Sequence, residues 1–72
     1  VEIVAHAGLD ALVERIGDAV ARHRGARVER KGDAVAVHGR RVAPGSKAAW
    51  RADLEAALRP WLAAHPGFMR QD

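Results

Sequence analysis

Cysteine is absent from this 72-residue chain, which excludes a disulfide framework, a thiolate nucleophile and any cysteine-based zinc site. Hydroxyl side chains are nearly absent as well. Ser46 is the only serine and there is no threonine, so a Ser/His/Asp triad has little to be built from. Aromatic residues number three, Trp50, Trp61 and Phe68, while sixteen of the apolar residues are alanine. The core is therefore thin for its length. No stretch approaches the roughly eighteen consecutive apolar residues of a membrane span, and no basic segment followed by an apolar run opens the sequence. These absences predict a soluble, cytoplasmic chain with no membrane contact. The patterns G-x-G-x-x-G and G-x-x-x-x-G-K are missing too, and with them the nucleotide-phosphate cradles they build.

What is present fits one small domain, residues 1–72, near the size at which a single hydrophobic core is only marginally sufficient. Twelve basic and nine acidic residues leave a net charge of +3, and the basic residues are mostly arginine. That excess suits anionic ligands without by itself specifying nucleic acid.

Residues 27–40, R-V-E-R-K-G-D-A-V-A-V-H-G-R, organise the rest. Val28 on one side and Val35 and Val37 on the other alternate with polar or small residues, which predicts a β-hairpin turning at Gly32-Asp33. With those two residues as the loop, Lys31 lies opposite Ala34, Glu29 opposite Ala36, Val28 opposite Val37 and Arg27 opposite His38. Facing partners share a side of the sheet. Val28, Val35 and Val37 then form the core face, and Arg27, Glu29, Lys31, His38 and Arg40 form the other, around Ala34 and Ala36. Such a surface is either the ordinary wet side of a half-exposed sheet or a polar binding site.

The flanking segments supply the remaining elements. Residues 1–6 read as a first strand, with Val1, Ile3 and Ala5 alternating against Glu2, Val4 and His6. After Gly8, the three- and four-residue spacing of Leu9, Leu12, Val13, Ile16, Ala19 and Val20 predicts a helix. Asp10 is its expected N-cap, Arg22, His23 and Arg24 load its last turn, and Gly25 stops it. Gly17 inside it costs roughly 1 kcal/mol relative to alanine, a cost that close approach to the sheet would explain. Residues 42–45 form a turn and Ser46 is placed to cap a second helix. Its apolar stripe is Trp50, Leu54, Ala57, Leu58 and Trp61, with Arg51, Asp53, Glu55 and Arg59 outside. Pro60 within this pattern predicts a kink or restart. His65-Pro66-Gly67 ends the element, and residues 68–72 open a further strand. The order β-α-β-β-α, with a fourth strand begun, implies an α+β two-layer sandwich with an antiparallel sheet and both helices on one face.

Chemistry-bearing residues are sparse elsewhere. His6, His23, His38 and His65 sit in different elements without metal-ligand spacing; His23 suits the first helix's inner stripe or its C-terminal charge, and His65 a helix end. Asp53 and Glu55 are two apart on a helix and diverge, whereas Asp10 and Glu14 are four apart on an exposed face. None of these makes an active site.

The hairpin carries a family resemblance. Val28-Glu29-x-Lys31-Gly32, then Val35, His38-x-Arg40 and Ala43-Pro44 resemble the V-E-x-K-G…H-x-R…A-P stretch in the cap of trehalose-6-phosphate phosphatases, members of the haloacid dehalogenase superfamily. The match covers residues 28–44, about a quarter of the chain. The preceding A-H-A-G-L-D at residues 5–10 is faintly similar to the family's H-G-x-E segment. In this sequence Gly39 replaces the aromatic usual between the histidine and arginine, and one extra residue precedes Ala43-Pro44. The nucleophile motif D-x-D-G-T/V is absent, so these residues hold no aspartyl-phosphate chemistry.

The resemblance implies a cap or specificity module that closes over a phosphatase core and orients a sugar phosphate. Glu29 and Lys31 would bind substrate, with His38 and Arg40 on the same face; a carboxylate and an ammonium suit sugar hydroxyls, and a guanidinium suits a phosphate. No cofactor belongs to this chain in that reading, the Mg²⁺ being held by the core. Two other classes fit the composition. A small basic module could dock nucleic acid or a partner protein through its arginine-bearing sheet face, with Arg22, Arg24, Arg27, Arg30, Lys31, Arg40 and Arg41 able to follow a phosphate backbone, though that face offers no aromatic for base stacking. An oligomerising domain could use an open sheet edge or Trp50 and Trp61, which instead fit the helix's inner stripe.

Overall fold

Period-two alternation yields four strands in the computed structural model, which describes residues 1–72, and the three-to-four-residue apolar period yields two helices. The order is β1 (Glu2–Val4), α1 (Leu9–Arg22), β2 (Arg27–Lys31), β3 (Ala34–His38), a 3₁₀ turn at Pro44–Ser46, α2 (Lys47–Ala64) and β4 (Met69–Gln71). The sheet runs β2-β3-β1-β4, and every neighbouring pair is antiparallel. Each helix therefore joins two strands that flank a third, the interleaved split βαβ of the ferredoxin-like architecture. It is the expected α+β sandwich, with the fourth strand added beside β1.

Both helices cover one face. Ile3, Val35 and Val37 from the sheet meet Leu9, Leu12, Ile16 and Ala19 from α1 and Trp50, Leu54 and Leu58 from α2 in a single buried cluster. The hairpin register matches the alternation: Lys31 pairs with Ala34, Glu29 with Ala36, Val28 with Val37 and Arg27 with His38. Gly32 opens the two-residue loop at φ 53° with no positive φ at Asp33, the sign pattern of a II′ reversal, which demands glycine first. Gly25, at φ 94°, lies just beyond the end of α1.

Five local expectations need correction. The first strand is shorter than residues 1–6, although Ile3 and Ala5 do point into the core. Gly8, not Asp10, is the N-cap of α1; its carbonyl accepts from the Leu12 N–H at 3.2 Å, which puts Asp10 in the first turn. Ser46 does stand at the N-cap of α2 but makes no side-chain cap, its backbone lying at φ −107°, ψ −3° and not in the extended region from which an N-cap hydroxyl reaches the first-turn amides. A β-carbon at Gly17 would meet nothing within 4 Å, so no close approach explains that glycine. Finally, α2 passes through Pro60 without restarting. The apolar stripe continues on both sides of it in Leu58, Trp61 and Leu62, and packing of that stripe outweighs one missing hydrogen bond.

Candidate functional site

Alternation in the hairpin and pairing along β1 decide which side chains share the helix-free face. Glu29 and Lys31 of β2, His38 of β3, and Glu2 of β1 all fall there, over Ala34 and Ala36. His38 Nε2 donates to Glu29 Oε1 at 3.1 Å, since an ionised carboxylate only accepts. Lys31 Nζ lies 3.9 Å from Glu2 Oε2, a loose exposed pair of little energetic worth. Its three donors remain available. A hollow of about 310 Å³ lies over Ala36, rimmed by Glu2, Lys31, His38 and Gln71. With one Glu29 carboxylate oxygen still free to accept, the face presents acceptors and donors to a polar ligand.

Arg40 stands apart from the other three predicted residues. The strand ends at His38, so its alternation does not extend to Arg40, which lines a second recess beneath α2. This cleft, about 550 Å³, has Val37, Trp50 and Leu54 at its apolar side and Arg40, Lys47 and Arg51 among its polar residues. Gly39 shapes it: a β-carbon there would sit 2.0 Å from Trp50 Nε1. That contact accounts for glycine where the resembled motif has an aromatic.

The titratable groups with displaced pKa values are not on the open face. Glu55 receives both terminal nitrogens of Arg70, at 2.5 and 2.7 Å. These hydrogen bonds, opposed by partial burial and aided by Arg70's and Arg59's charges, hold its pKa down at about 2. Arg70 is correspondingly raised, and its Nε donates to Asp72 at 2.9 Å. Asp53 is lowered chiefly by a 2.6 Å hydrogen bond from His23 Nε2, and His23 also meets the Trp50 ring edge-on at 5.6 Å. Both carboxylates tie secondary-structure elements together, so they do not lie simply outside as the helical stripe implied. They do diverge, Asp53 toward α1 and Glu55 toward β4.

Sequence reasoning missed these links, yet alternation contained the signal for two of them. Arg70 lies opposite Ile3, and Arg30 opposite Val35, which places both arginines on the helix-bearing face, where each needs a carboxylate. Arg70 finds Glu55, and Arg30 finds Asp10 at the start of α1. His65 caps the end of α2, stacked on Trp61 at 4.0 Å with its Nδ1–H donated to the Trp61 carbonyl.

No group of three or more His, Asp or Glu side chains is placed to hold a metal ion. No helix is long and apolar enough to cross a membrane. Comparisons with known proteins yield no matching family model, no matching curated protein and no matching solved structure.

Proposed function

We propose that the open sheet face is a recognition surface for a sugar phosphate, and that the chain acts as a specificity module of the trehalose-6-phosphate-phosphatase cap type, without catalysis of its own. The observation that carries this reading is the register that sets Glu29, Lys31 and His38 on one helix-free face, beside a hollow floored by Ala36. Glu29 accepts from sugar hydroxyls, Lys31 donates to hydroxyl or phosphate oxygens, and His38 holds the Glu29 carboxylate in place while offering its ring edge. Small alanines leave room for a ring above the sheet. Phosphoryl transfer would then fall to a separate core domain, over which such a cap closes to exclude water and orient the substrate.

Calorimetric titration of the chain with trehalose 6-phosphate, trehalose and inorganic phosphate tests the reading. The expected result is saturable binding of the sugar phosphate, weakened about tenfold or more by Glu29→Gln or Lys31→Ala, in line with loss of one charged hydrogen bond. Equal binding by both variants and the parent chain overturns it.

A further inference from the structure

The cleft beneath α2 is built differently from the open face. Its lining mixes an apolar surface of Val37, Trp50 and Leu54 with basic side chains from separate parts of the chain. Two of its ionic groups are already satisfied by each other: Arg70 spends both terminal nitrogens on Glu55 and its Nε on Asp72. Arg40, Lys47 and Arg51 form no ion pair with any carboxylate of the chain; Lys47 makes only a 3.4 Å hydrogen bond to the Arg40 carbonyl. Three cations without an ion-pair partner thus border one recess that also holds the Glu55 and Asp72 carboxylates. Two of them, Lys47 and Arg51, lie one turn apart near the start of α2, whose first turn holds no acidic residue.

We propose that this cleft binds a small phosphate monoester, its head held by Arg40, Lys47 and Arg51 and its apolar or aromatic body laid against Trp50 and Leu54. A phosphate monoester fits better than a carboxylate. At neutral pH it carries about −1.5 to −2 charges and three strong acceptor oxygens, against three cations, whereas a carboxylate brings one charge and two oxygens. Guanidinium groups bind such oxygens in paired, planar geometry. Trp50 and Leu54, only 4% and 5% exposed, show a narrow apolar edge to the recess, and that edge is what the remainder of the molecule touches and inorganic phosphate does not. The inference rests on the cleft alone and does not depend on the reading of the open face.

The test is an amide and indole NMR titration of the full chain with phenyl phosphate, inorganic phosphate and phenol. Phenyl phosphate is expected to shift the Trp50 indole N–H and the Gly39 amide and to bind about tenfold or more tightly than inorganic phosphate; phenol leaves both signals unmoved. Arg40→Ala with Arg51→Ala should lower the affinity about tenfold or more and, because both side chains are exposed, preserve the folded spectrum. Arg15→Ala, an exposed cation of α1 outside the cleft, should leave phenyl phosphate binding unchanged. Shifts confined to Glu29, Lys31 and His38, or an affinity indifferent to the double substitution, overturn the proposal.

Discussion

At position 39 a β-carbon would lie 2.0 Å from Trp50 Nε1 and 2.8 Å from Trp50 Cδ1, so any side chain there must displace a tryptophan that is 4% exposed. Gly39→Ala is expected to destabilise the fold by about 1–3 kcal/mol, the usual cost of overpacking. Chemical denaturation measures it, and an unchanged midpoint would mean that the indole moves aside freely. Gly17 is the opposite case. It has open space where its side chain would be and sits within α1, so Gly17→Ala should raise stability by about 1 kcal/mol through helix propensity. A drop on the same measurement would show a contact at that position that the packing does not contain. Neither outcome was legible from the letters alone, since a helix-interior glycine and a strand-end glycine look alike until their neighbours in space are known.

Between elements, the Glu55–Arg70 pair fastens β4 to α2. Glu55 titrates at about 2 instead of an ordinary 4.5. A lowered folded-state pKa means the contribution is complete above 4.5 and disappears as pH falls toward 2. Glu55→Gln should therefore cost about 1–2 kcal/mol at neutral pH, as expected for a half-buried charged hydrogen-bond pair, and should flatten the stability profile over that acid range. An equally steep profile in the variant would assign the acid sensitivity elsewhere. The hairpin and its register, both helices and the added strand could be read from alternation and helical period, because those depend on local sequence. The cap of α1 was misread because Gly8 closes that end with backbone, whereas Ser46 does hold the N-cap of α2 and lacks only the side-chain bond. Pro60 was misread because tertiary packing carries α2 past it. Of the four predicted site residues, Glu29, Lys31 and His38 are brought together by the strand period. Arg40 escaped that rule because it follows the strand's end, where alternation no longer says which way a side chain goes.

For the molecule as a whole, two helices stacked on one side of a four-stranded sheet leave the other side bare, and only 13 of 72 residues are buried. A core so small leaves stability modest, but the open face contributes little to it: its ion pairs are loose or exposed. Glu29→Gln and Lys31→Ala should accordingly change unfolding free energy by no more than about 0.5 kcal/mol, which separates recognition from folding. The proposed role of this bare face is recognition of a sugar phosphate through Glu29, Lys31 and His38. Its most direct measurement is a residue-by-residue amide shift map during titration with trehalose 6-phosphate. Saturating shifts clustered at Glu29, Lys31, Ala36 and His38 are expected; a flat map, or shifts lying only on the helix-covered side, would overturn the proposal.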